Sequence, residues 1–61
     1  MPVIHVHMVV GRTVDQKRRL VEAVTEVLVS EAGATRESVT VVIHESERDN
    51  WGQAGLLLDA Q

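Results

Sequence analysis

Sixty-one residues, 44% of them hydrophobic, with a single aromatic and a formal net charge of −3, make a small and mildly acidic chain. A chain of this size hides only about 60% of its unfolded surface on folding and needs a staple, and the absence of cysteine excludes disulfides and thiolate metal sites. The charge argues against nucleic acid, no apolar run reaches the ~20 residues of a membrane span, and no basic-then-apolar leader is visible, so one cytoplasmic domain over residues 1–61 is expected.

Met1-Pro2 opens the chain. A small residue after the initiator Met favours its removal, which would leave Pro2 with a free secondary amine on a ring of fixed φ. Such an amine can transfer protons; the ordinary reading of Pro2 alone is a tolerated strand start. Val3 to Val10 reads as a strand, with Ile4, Val6, Met8 and Val10 on one face and Val3, His5, His7 and Val9 on the other. Both faces are largely apolar, as in a sheet covered on both sides. His5 and His7 point the same way, but no third metal ligand is evident, so packing or interface roles are expected for them and for His44.

Gly11-Arg12 ends the strand, and Thr13 with Gln16 forms a capping box for a helix. Leu20, Val21, Val24, Val27 and Leu28 make its apolar stripe, Arg18 and Glu22 an i,i+4 pair, and Gly33 its C-terminal stop. Four of the six cations (Arg12, Lys17, Arg18, Arg19) fall in this region and attract anions locally. Lys17, Arg18 and Arg19 fit a solvated helical face. Arg12, at a strand end and a helix start, suits a carboxylate or phosphate; on its own, an exposed arginine paired with a surface acid is the commoner case.

Glu37 to Glu45 holds a second strand, Val39 to His44, and a strand–helix–strand unit of this kind pairs its strands in parallel. Beyond it, Trp51, Gly52 and Gly55 mark a turn-rich tail, with Leu56, Leu57 and Leu58 in need of a partner surface and a short hairpin expected. Trp51 is equally consistent with lining a pocket and with capping an oligomer core. Glu45, Glu47 and Asp49 read as solvent-facing. The three histidines are too few and too unevenly spaced for a structural zinc site. A two-stranded sheet with one helix is not a stable monomer, so an obligate oligomer is expected.

Taken in order, Met1-Pro2, the strand with His7, Gly11-Arg12-Thr13, Asp15-Gln16-Lys17, the Val39 to Glu45 strand, Trp51-Gly52 and Gly55 resemble the 4-oxalocrotonate tautomerase family over essentially the whole chain. The resemblance implies an α+β fold, β-α-β with a C-terminal hairpin, assembled as a hexamer from three dimers. It implies a cofactor-free isomerase in which Pro2 is the general base interconverting enol or dienol and keto forms of an unsaturated 2-keto acid. Arg12 takes the place of the arginine that holds a substrate carboxylate, and Trp51 that of the aromatic wall. One departure stands out: Thr40 occupies the position of the family's second substrate-binding arginine. This points to weak activity on dicarboxylates or a preference for a monocarboxylate such as an aryl enolpyruvate, with Arg36 and Arg48 as nearby cations. Two alternatives follow from the same residues: a proline-dependent hydratase or dehalogenase acting on unsaturated acids, and a non-catalytic subunit of a hetero-oligomer.

Overall fold

Strand β1 covers Val3–Val9, helix α1 Val14–Ala32 and strand β2 Thr40–Ser46; β3 (Gly52–Gln53) and β4 (Leu56–Leu57) follow, with short 3₁₀ turns at Arg36–Ser38, Arg48–Asn50 and Leu58–Ala60. The computed structural model describes residues 1–60. β1 and β2 pair in parallel, from Val3 opposite Thr40 to Val9 opposite Ser46, and β3 and β4 form the expected antiparallel hairpin. This is the β-α-β fold with a C-terminal hairpin. The element ends shift slightly from expectation: β2 starts at Thr40 rather than Val39, and β1 stops at Val9. The ladder nonetheless runs past both ends, with Thr40 N–H donating to the Pro2 carbonyl and Val10 N–H to the Ser46 carbonyl, each at 3.0 Å.

The helix starts as its sequence dictates. The Thr13 hydroxyl accepts the Gln16 N–H at 3.1 Å, and Gln16 Oε1 accepts the Thr13 N–H at 2.8 Å, so two otherwise unpaired donors are satisfied reciprocally. Gly33 closes α1, with the N–H of Ala34 reaching back to the Leu28 carbonyl. Leu20, Val21, Val24 and Leu28 are half-buried, but Val27 is 55% exposed and falls outside the stripe. Thr25 is instead the buried side chain of the helix, and its hydroxyl is satisfied by the Val21 carbonyl at 2.8 Å.

Three ion pairs depart from the sequence reading. Arg18 pairs with Asp15 one turn back rather than with Glu22. Lys17 reaches across to Glu45 on β2 at 2.9 Å, so neither is a simple solvated charge; the pair ties α1 to the sheet. Arg36 pairs with Glu26, fastening the first 3₁₀ turn to the helix.

Exposure alternates along β1. Val3, His5 and His7 are exposed, while Ile4, Val6 and Met8 are half-buried, so α1 covers only one face of the sheet. The second cover that an apolar strand calls for does not come from the chain itself. Among the described residues no hydrophobic side chain is buried. The Cα radius of gyration is 14.5 Å, against about 10.5 Å for a compact chain of this length, and the molecule measures 42 × 23 × 14 Å. The folded chain therefore has a well-formed topology but no closed core of its own.

Candidate active site

The parallel sheet sorts the candidate residues into two groups. Pro2 and Thr40 stand at the N-terminal ends of β1 and β2, joined by the backbone hydrogen bond from Thr40 to Pro2. Arg12 follows the C-terminal end of β1, and Trp51 follows the turn beyond the C-terminal end of β2. Between Pro2 and Arg12 lies the whole of β1, about 20 Å of extended chain. The structure thus brings Pro2 to Thr40 but not to Arg12, and one small acid cannot touch both within a single copy.

Pro2 is half-buried and Met1, which precedes it, is 95% exposed. While Met1 is attached, the Pro2 nitrogen is a tertiary amide with no basic lone pair. Thr40 is exposed, and with its N–H engaged by the Pro2 carbonyl its hydroxyl is the polar group left to face a ligand.

At the other end, Gly11 turns the chain out of β1 with φ of 132°, a conformation that side chains with a Cβ rarely adopt. The turn sets Arg12 immediately before the N-cap Thr13, next to the first amides of α1. Its Nη1 donates to the Val9 carbonyl at 3.1 Å, and among the described residues no carboxylate lies within ion-pair distance. A positioned, acid-free guanidinium beside a helix N-terminus is suited to a carboxylate ligand. Trp51 is half-buried, and its carbonyl accepts the Leu58 N–H at 2.9 Å, which anchors it to the hairpin.

Neither nearby cation replaces the arginine that Thr40 displaces. Arg36 is paired with Glu26, and Arg48 Nη2 donates to the Leu58 carbonyl at 2.8 Å, holding the two C-terminal turns together. An open depression of about 260 Å³ near Arg48 is lined by Val10, Glu47, Asp49 and Asp59 as well. Three acids against one arginine repel an anionic substrate, and none of the candidate residues lines it.

The sequence reading missed one cluster. His7 lies opposite His44 in the ladder, two residues from His5, so all three rings share the open face. The His44 ring stacks on His7 (centroids 4.5 Å apart, planes 12° apart) and meets His5 edge to edge (5.0 Å, 21°), with His5 Nδ1 2.7 Å from His44 Nε2. Packing or hydrogen-bonding roles are expected for each of these residues singly; that the H-x-H of one strand and a histidine of the next converge emerges only from the register. His5 Nδ1 and His44 Nε2 are spent on each other, and among the described residues no group of histidine and acid side chains forms a metal-sized site.

Comparison with known proteins identifies the family and the fold. The family model described as a tautomerase enzyme matches residues 2–61. The 2-hydroxymuconate tautomerase of Bacillus subtilis is 46% identical over 55 residues, 90% of this chain and 89% of its own. That of Comamonas testosteroni is 41% identical over 56 residues, 92% and 89% of the two chains. A crystal structure of a homologue of 4-oxalocrotonate tautomerase superposes with a TM-score of 0.95 at 42% identity, covering 98% of each chain. The heterohexameric 4-oxalocrotonate tautomerase of Chloroflexus aurantiacus shares the fold, with a TM-score of 0.92 over 97% of this chain and 95% of its own, at 22% identity. From Pro2 to its C-terminal hairpin, the chain belongs to the tautomerase family of enzymes, of the 4-oxalocrotonate tautomerase type.

Proposed function

We propose that this tautomerase interconverts enol and keto forms of an unsaturated 2-keto acid, with the Pro2 amine as general base after Met1 is removed, in sites shared between copies of the chain. The observation that carries the reading is the separation of Pro2 from Arg12 along β1. β1 is partnered by β2 on one edge only. Its sequence, VIHVHMV, has no Lys, Glu, Asp or Pro to guard the other edge, whereas β2 carries Glu45. Two β1 edges pairing antiparallel about a two-fold axis set the Pro2 end of one copy beside the Arg12 end of the other. Such a dimer still leaves the open sheet face uncovered. Packing dimers by this face hides it, and three dimers closing about a common axis, the assembly the family resemblance implies, would do so.

The chemistry follows from the groups assembled. A neutral secondary amine takes the hydroxyl proton of the dienol and becomes an ammonium. The electrons that leave the O–H bond form the carbonyl, the double bonds shift, and the ammonium returns its proton to a chain carbon. Nothing is oxidised or reduced and no water is consumed. The Arg12 guanidinium holds the C1 carboxylate and offsets the negative charge of the dienolate. A cation close by and a dry pocket both disfavour the ammonium, which lowers the amine from its ordinary ~7.7–8 toward neutrality. Trp51 supplies an apolar wall that excludes water. Thr40, beside the base, offers one hydroxyl and no charge, so the site favours a substrate with one carboxylate.

The test is ketonisation of phenylenolpyruvate and of 2-hydroxymuconate, followed by ultraviolet absorbance, using protein whose N-terminus is shown by mass spectrometry to be Pro2. The reading expects turnover of both, with kcat/KM higher for the monocarboxylate. An assembled, Pro2-terminated protein that turns over neither acid contradicts it.

A further inference from the structure

The His5–His44–His7 stack has no part in the proposed reaction, which uses the strand ends. It occupies the middle of the sheet's open face, the surface where a second layer has to pack. Its neighbours on that face are Val3 and Val9 from β1, and Thr40, Val42 and Ser46 from β2, as the register places them. None of these is a carboxylate. Glu45, the one acid within the two strands' ladder, lies opposite Met8 on the helix side and is held by Lys17. α1, with its own charged residues, packs on that other side too, so among the described residues of the two strands no anion on the face offsets a positive charge in the stack.

The stack itself limits protonation. A hydrogen bond between His5 Nδ1 and His44 Nε2 at 2.7 Å needs one N–H and one lone pair, so it cannot survive when both rings are cations. His44 also lies against His7, so a charge on the central ring faces two others at centroid distances of 5.0 and 4.5 Å. In the free chain His5 and His7 are exposed and water screens such charges. Under a second apolar layer it does not.

We propose that this stack makes assembly proton-sensitive: with neutral imidazoles the open faces of two or more copies pack together, and protonation of the stack drives them apart. The proposal rests on the preceding reading that further copies of the chain cover this face. The sign follows from proton linkage. The assembled form holds fewer protons than the separated form, so assembly is at full strength above the ordinary histidine range, near 6.5, and is lost as pH falls through and below it. Each ring that must stay neutral makes dissociation tenfold more favourable per pH unit on the acid side. Because separated copies do not form shared sites, activity falls with assembly.

The test is the mass of the intact chain by sedimentation velocity between pH 7.5 and 5.5, a window above most carboxylate titration. The expected result is an oligomer at pH 7.5 whose dissociation constant per chain rises about 30-fold or more between pH 6.5 and 5.5, as uptake of two or more protons by groups of ordinary histidine affinity requires. His44→Phe keeps a flat ring in the centre of the stack without a titrating group and is expected to hold its assembly at least half a pH unit lower. A wild-type slope below one proton per chain overturns the proposal, as does a His44→Phe protein that assembles at pH 7.5 and then dissociates at the wild-type pH. Should His44→Phe not assemble, the wild-type slope decides alone. Loss of the oligomer on adding EDTA at pH 7.5 also overturns it, by assigning the imidazoles to a metal. A monomer at pH 7.5 overturns the assembly reading instead, and an oligomer that ignores pH leaves that reading standing while removing this one.

Discussion

The backbone N–H of Thr40 donates to the carbonyl of Pro2 at 3.0 Å, so residue 40 stands beside the candidate base whatever its side chain. Restoring a cation there should restore a grip on a second carboxylate. A hydrogen bond to a charged group contributes about 1.5–3 kcal/mol, or roughly 10- to 150-fold. Thr40→Arg is therefore expected to raise kcat/KM for 2-hydroxymuconate at least tenfold and to change that for phenylenolpyruvate by less than threefold. Equal gains on both acids would show that residue 40 does not read the second carboxylate.

Arg12 has a different task, because both acids carry the carboxylate it is proposed to hold. Arg12→Gln should lower kcat/KM about 100-fold for both, mostly through KM, as loss of a bidentate charged contact requires. The fold should stay, since the helix start is held by Thr13 and Gln16 and Arg12 adds only one bond to the Val9 carbonyl. Circular dichroism with steady-state kinetics checks both halves of this expectation.

Much of this arrangement was legible in the sequence, for local reasons. The capping box, the β-branched strands and the Gly33 stop each depend on a few neighbouring residues, and the structure shows all three. What was not legible depends on register and on distance between elements. The Lys17–Glu45 tie and the histidine stack appear only once β1 and β2 are aligned residue by residue. The apolar stripe was drawn too wide at Val27 because a single two-stranded sheet is too narrow to cover it. The strand reading already puts Pro2 and Arg12 a strand length apart; that Thr40 falls at the Pro2 end and Trp51 toward the Arg12 end follows only from the parallel register.

The hairpin offers a test of backbone strain away from the site. Ala54 and Gly55 link Gln53 to Leu56 with φ of 54° and 79°, the two-residue loop in which both positions are left-handed. An alanine there costs about 1 kcal/mol relative to a residue at ease in that region. Ala54→Asn or Ala54→Gly is expected to stabilise the protein by about 0.5–1 kcal/mol per chain. Denaturant midpoints should be compared at one protein concentration, because assembly adds to apparent stability.

The Lys17–Glu45 pair is partly shielded, with 28% and 29% of the side chains exposed, and it is the charged link between α1 and β2. Glu45→Gln is expected to destabilise by about 0.5–1 kcal/mol, less at high salt. A double-mutant cycle with Lys17→Met isolates the coupling; a coupling of zero at low salt would remove the pair from the account.

The central claim is that the secondary amine of Pro2 is the base. The most direct measurement is a pH profile of kcat/KM on phenylenolpyruvate for two preparations of equal oligomeric mass, one beginning at Pro2 and one retaining Met1. For the first, above pH 6.5, where the oligomer is intact, activity should rise with pH through a single titration at or below the ordinary ~7.7–8 of an α-amine, because only the neutral form accepts a proton. For the second, in which that nitrogen is an amide, activity should fall at least 10³-fold across the whole range. Equal rates from the two preparations would contradict the account.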